Sequence, residues 1–118
     1  MGFILSRWMV SLMCSLPFAV FAQSYPERPV RVVVSYSAGA TNDIVARLVA
    51  QRLSTAFKQN FFVENRVGGN GTIGTGFVAK EPADGYNILL GNTSTLAIHP
   101  SLFASLSYDP TKDFQAVS

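Results

Sequence analysis

Residues 30–58 read VRVVVSYSAGATNDIVARLVAQRLSTAFK, and this stretch decides the fold class. Val30 to Val34 are β-branched and apolar apart from Arg31, the composition of a strand covered on both faces. Pro29 stands at the strand's edge, where a missing N–H does little harm. Ser35 to Asn42 are mostly small or polar and form a loop. Behind them Ile44, Val45, Leu48, Val49, Leu53 and Phe57 recur at three- and four-residue steps, while Arg47, Gln51, Arg52 and Lys58 fall mainly on other faces. The spacing predicts a helix over 43–58 with Asn42 as N-cap, Asp43 at the positive end of the helix dipole and Lys58 at the negative end.

Downstream the pattern repeats. Phe61 to Glu64 form a short predicted strand, a glycine-rich turn follows, and Thr72 to Lys80 form a helix with Ile73, Phe77 and Val78 as its apolar members. Pro82-Ala83-Asp84-Gly85 is a turn, and Tyr86 to Leu90 are a third strand. Strands alternating with helices imply right-handed βαβ units and a parallel sheet, so the fold class is α/β. Leu96 to Leu106 suggest a helical turn or two broken at Pro100, Tyr108-Asp109-Pro110 a turn, and Phe114 to Val117 the beginning of a strand.

Upstream, Arg7 precedes the uncharged run WMVSLMCSLPFAVF, and Val20 and Ala22 supply small residues at a cut site. That layout predicts a signal peptide over 1–22, cleaved after Ala22, and a periplasmic location. The run is shorter than the roughly 18–20 residues of a bilayer span, and Pro17 interrupts it. Cys14 leaves with the leader. Of the 118 residues 96 then remain, without cysteine, with eight Lys and Arg against seven Asp and Glu. An exported chain of that kind depends on its hydrophobic core, and its near-neutral charge argues against a nucleic-acid partner.

Ligands of open parallel sheets bind outside the carboxyl ends of the strands, near the point where strand order reverses. Three loops leave such ends: Ser35–Asn42, Asn65–Gly71 and Gly91–Thr95. All are rich in Gly, Ser, Thr and Asn, and the first and third contain no Lys or Arg. Backbone N–H groups and hydroxyls of this kind suit a reversibly held anion, although ordinary caps and turns use the same residue types.

Gly69 to Gly74, GNGTIG, fit the G-x-G-x-x-G pattern of dinucleotide sites. That pattern belongs on the first strand–helix turn, with an acid about 20 residues on, at the end of the next strand. Here the glycines follow the second strand, and the next strand ends in Leu90-Gly91-Asn92. No nucleotide cofactor is expected, and the glycines are read as permitting a close backbone approach. Arg66 is expected in an ion pair or in solvent. His99, the only histidine, has no second histidine or cysteine with which to hold a metal. No G-x-S-x-G is present, and a Ser94–His99–Asp109 triad would require geometry that spacing does not supply. No catalytic residue is assigned, which leaves a secreted hydrolase or nucleotide-binding enzyme as the remote alternative.

From Tyr25 to Ser118 the chain resembles the Bug family, the periplasmic solute-binding receptors of tripartite tricarboxylate transporters. The segments that carry the resemblance are YPERPVRVVVSYSAGATNDIVARLVAQRLS, VENRVGGNGTIGTGFVAKEPADGYNILLGNTSTLAIHPSLF and LSYDPTKDFQAVS. The resemblance implies part of a type II periplasmic-binding-protein clamshell, a small carboxylate-bearing solute, and membrane permease subunits as partners. It also implies that Tyr36, Ser37, Gly39, Asn42 and Asp43 of the first loop, with Asn92, Thr93 and Ser94 of the third, bind the solute. The family's first loop runs Pro-Phe-x-Pro-Gly-Gly-x-x-Asp, whereas here Ser35, Ala38 and Ala40 replace the two prolines and the second glycine. The resemblance also implies a receptor of about 300 residues, consistent with two lobes of the usual domain size. Residues 23–118 are therefore expected to be the N-terminal part of a solute-binding lobe with the second lobe absent. Such a piece would bind solute weakly or be an inactive relic.

Overall fold

The computed structural model describes residues 24–117, and the predicted signal peptide lies outside them. Strands β1 (Val30–Val34), β2 (Phe61–Asn65) and β3 (Asn87–Leu90) form a parallel sheet in the order β2-β1-β3. Val30 to Val34 pair with Phe61 to Asn65, and Arg31 to Val34 pair with Asn87 to Leu90. The valine-rich strand is thus the central one, covered on both faces as its composition requires.

Helices α1 (Thr41–Phe57) and α2 (Thr72–Lys80) make the two crossovers. The first crossover steps to one side of β1 and the second steps back across it, so right-handed connections place the helices on opposite faces. Val30, Val32 and Val34 meet Ala46, Ala50 and Phe61 in the main core, with Leu53, Val63, Ile88 and Leu90 packed around them. On the other face α2 buries Gly74, Thr75, Gly76 and Val78, with Gly74 against Ser35 and Arg66 at the strand ends and Gly76 against Ser107 and Tyr108. Among the described residues no helix is long and apolar enough to cross a membrane.

Several sequence expectations shift. Helix α1 begins at Thr41 behind Ala40, so Asn42 lies inside the first turn and supplies no cap, while Lys58 closes the helix in a left-handed conformation. Its large apolar side chains are not the buried ones: Ile44, Val45, Leu48, Val49 and Phe57 are between 43% and 60% exposed. Small Ala46 and Ala50 let the helix axis approach the valines, and the larger side chains project from its other faces. In α2 the expected apolar member Val78 is buried beside Gly74, Thr75 and Gly76, while Ile73 is exposed. β2 runs one residue further than predicted, to Asn65, and β3 begins at Asn87, although Tyr86 still accepts a hydrogen bond from the Arg31 amide at 2.9 Å.

Pro100 does not break the helical segment after β3. Ser94–Ile98 form a wide helical turn that continues into α3 (His99–Leu102), and the Thr95 carbonyl, five residues before Pro100 and so without its N–H, accepts from the Tyr108 hydroxyl at 2.6 Å instead. Phe114 to Val117 are not in a strand and pair with neither edge of the sheet.

Candidate functional site

The reversal of strand order lies between β1 and β3, and the loops that leave their carboxyl ends flank it. The glycine-rich turn after β2 joins them. Gly71, at φ +91°, lies against the Tyr36 ring of the first loop and the Thr95 methyl of the third. Tyr36 also packs on the valine core, so its ring crosses the end of the sheet from the α1 side to the glycine turn. Beneath this junction, buried Ser35 shares a hydrogen bond with Thr75 at 3.2 Å, and the Thr75 hydroxyl donates to the Gly71 carbonyl at 2.8 Å.

The first loop is held by Asp43. This side chain is 2% exposed. Its Oδ2 accepts from the Gly39 amide and the Arg47 Nε, both at 2.9 Å, and its Oδ1 accepts from Asn65 Nδ2 at 2.9 Å. The Arg47 guanidinium, then the Gly39 amide and the Asn65 amide, hold the carboxyl well below the usual carboxylate range. The Ala40 amide donates to the Ser37 carbonyl at 3.1 Å and closes a turn that leaves Ser37 and Ala38 exposed at the tip.

The third loop is organised by Asn92. Its Oδ1 accepts from the Thr95 amide at 3.0 Å and the Thr95 hydroxyl at 3.1 Å, and its carbonyl accepts from the Leu96 amide at 3.1 Å. The Asn side chain therefore imitates a turn and starts the helical segment. Thr93 is exposed and Ser94 half-buried on its outer side. Tyr108 fastens this loop from below, its buried hydroxyl donating to the Thr95 carbonyl at 2.6 Å. Burial, and then the neighbouring Tyr36, push the Tyr108 phenol upward.

The residues expected at the site thus divide. Ser37, Thr93 and Ser94 present polar groups on the outer side of the loops. Gly39, Asp43 and Asn92 are occupied in holding the loops in shape, Tyr36 lies across the base, and Asn42 is half-buried in the first turn of α1. The sequence reading assigned Asn65, Gly71 and Thr95 no contact with solute; it took Asn65 as the start of the glycine-rich loop and Gly71 as permitting a close backbone approach, which Gly71 makes to Tyr36 and Thr95. The signal for Asn65 was a polar residue at the end of an apolar strand, and for Gly71 a glycine between two polar residues ahead of a helix.

Arg66 makes the expected ion pair, with Glu64, and stacks 3.5 Å from the Phe77 ring centroid. Glu64 also pairs with Arg31 at 2.9 Å, so both arginines are balanced on the α2 face of the sheet. His99 is buried with its Nε2 3.5 Å from the Asn70 side-chain nitrogen and its ring edge-on to Phe103. Asp109 directs one carboxylate oxygen to the Thr111 amide and hydroxyl and the other to Lys112, so it does not orient His99. Beside the junction an open groove of about 650 Å³ runs between the glycine turn and the chain after α3, with Asn70, Thr72, Phe103 and Leu106 among its walls. Among the described residues no three His, Cys, Asp or Glu side chains are grouped to hold a metal ion.

A family model described as the tripartite tricarboxylate transporter family receptor matches residues 45–118. A UPF0065 protein of Bordetella bronchiseptica is 43% identical over 109 residues, 92% of this chain and 32% of the relative. The chain spans about a third of the length of the curated relatives it matches. Among solved structures, the periplasmic binding protein BugD is similar at TM-score 0.72 and 42% identity, over 76% of this chain and 30% of that one. MatC of Rhodopseudomonas palustris with bound malate gives 0.73 and 36%, over 76% and 31%. An R. palustris protein with adipate gives 0.71 and 40%, over 74% and 29%. The fold is that of part of a periplasmic-binding-protein clamshell, and the chain belongs to the tripartite tricarboxylate transporter receptor family.

Proposed function

We propose that this chain is the solute-gripping N-terminal part of an extracytoplasmic receptor, one that captures a small carboxylate-bearing solute and delivers it to membrane permease subunits. The observation that carries this reading is the convergence of three loops at the strand-order reversal, with Gly71 seated between Tyr36 and Thr95. Exposed Ser37, Ala38 and Thr93, with half-buried Ser94, ring that junction and supply amides and hydroxyls. Solutes of the right class are bound by two neighbours, malate by MatC and adipate by the second R. palustris protein. Neutral donors stabilise a carboxylate through many modest contacts, each helix end contributing about 0.3–1 kcal/mol when exposed, which suits capture followed by release. Export through a signal peptide cleaved after Ala22 would place this receptor in the periplasm.

Closure of a second lobe excludes water from the cleft of a two-lobed receptor and strengthens every polar contact in it. Residues 1–118 taken without any further lobe are therefore expected to bind weakly. Titration of the protein with malate and with adipate, followed by amide NMR, is expected to move Ser37, Ala38, Thr93 and Ser94 at millimolar solute. Calorimetry is expected to show no micromolar site. Shifts centred away from the three loops, or none at all, would overturn the assignment.

A further inference from the structure

Asn65 closes β2 and is the one member of the Asp43 network that comes from outside the β1–loop–α1 unit. Its Nδ2 donates to two acceptors at once, the Tyr36 carbonyl at 2.9 Å and Asp43 Oδ1 at 2.9 Å. Its Oδ1 accepts from the Arg47 guanidinium at 3.3 Å. The carboxylate it touches is buried and gives its second oxygen to Gly39 and Arg47. One side-chain amide thus ties the start of the first loop, through Tyr36, to its middle, through Gly39, by way of Asp43. Among neutral side chains of this length only a primary amide offers two donors and an acceptor together.

We propose that Asn65 is a positioning residue for solute capture: from the end of β2 it fixes the first loop in the shape that presents Ser37 and Ala38 at the strand-order reversal. The inference rests on the reading of those loops as the solute site. Asn65 itself touches no solute. Its effect passes through the Tyr36 carbonyl and the Asp43 carboxylate, both of which lose a donor when the amide is removed. An aspartate there would set a second carboxylate against Asp43 and, until protonated, donate to neither acceptor.

The test uses Asn65→Ala and Asn65→Asp, with two readouts. The first is amide hydrogen exchange without solute. Asn65→Ala is expected to lower the protection of the Gly39 amide by about tenfold or more, the size of effect expected when buried acceptors lose their donor, while Val32 and Val33 in β1 stay protected. Asn65→Asp faces both Asp43, which favours its protonation, and the Arg47 guanidinium, which opposes it. It is expected to behave the same way at pH 7 and to regain part of the Gly39 protection at lower pH, once its carboxyl takes up a proton and its one O–H can donate to Asp43. The second readout is the malate and adipate titration, in which the wild-type loop shifts are expected to need at least about tenfold more solute in Asn65→Ala.

Unchanged Gly39 protection in Asn65→Ala overturns the tether whatever the solute does. Released Gly39 with wild-type solute response overturns the link to capture. Should Asn65→Ala unfold the chain, the pH profile of Asn65→Asp decides, and a flat profile counts against the proposal. If the wild-type protein responds to neither acid, the reading of the loops as a solute site fails, and Gly39 exchange alone still reports on the tether.

Discussion

Gly71 is seated so close to Tyr36 that a Cβ placed on it would lie 2.8 Å from the Tyr36 hydroxyl oxygen. The same carbon would lie 2.8 Å from Thr95 Cγ2, and the backbone there has φ +91°. The first, second and third loops are therefore in contact through one residue that has no side chain. Gly71→Ala must both strain the backbone and push two side chains apart. It is expected to lower unfolding stability by about 1–3 kcal/mol. Urea denaturation measures this, and a loss under about 0.5 kcal/mol would show that the junction is looser than the structure has it.

Asp43 makes stability depend on acid. Its folded-state pKa is depressed, so its contribution is present above the unfolded value, about pH 4, and fades as pH falls from there toward the folded value. Asp109, held low chiefly by the Thr111 hydroxyl and amide, adds to the same trend. Asp43→Asn is expected to be less stable than the wild type at pH 7 and to lose less on moving from pH 5 to pH 2. An equal loss in both proteins would remove Asp43 as the cause.

The side of α1 that meets the sheet is the side of small residues. Ala46 is fully buried and Leu48 is 60% exposed. Ala46→Leu is expected to overpack the core and cost about 1–3 kcal/mol, while Leu48→Ser changes stability by less than about 1 kcal/mol. Thermal unfolding of the two variants with the order reversed would mean that the helix is rotated about its axis.

Tyr108 anchors the third loop through a buried hydrogen bond to the Thr95 carbonyl. Tyr108→Phe keeps the ring and leaves that acceptor without its partner. Stability is expected to fall by about 1–2 kcal/mol, and the amides of Thr93 to Thr95 to exchange faster. Unaltered exchange there would show that the loop is fixed without Tyr108.

Element types were legible in the sequence where one periodicity was unbroken. Val30 to Val34 had to be a doubly covered strand, and the three- and four-residue spacing after Asn42 had to be a helix. Boundaries moved where backbone contacts, rather than side chains, decided them. Asn65 was read as the start of the glycine-rich loop, yet β1 carries its pairing through to Val34 and takes Asn65 with it. The helix face was misread for a related reason: apolar spacing marks every side that avoids water, and α1 is apolar on more than the side that meets the sheet.

The sequence by itself determined the class of fold, the polar uncharged character of the three loops and the family likeness, because those depend on local composition and collinear order. Only the tertiary structure decided which of those polar groups face outward and which are consumed inside. Hydrogen bonds from Gly39 and Asn65 to Asp43 join residues up to 22 positions apart, and the contact of Gly71 with Tyr36 and Thr95 exists only once the strands are paired. Chain spacing carries no record of such distances, so the division between gripping and bracing residues emerges with the packed sheet.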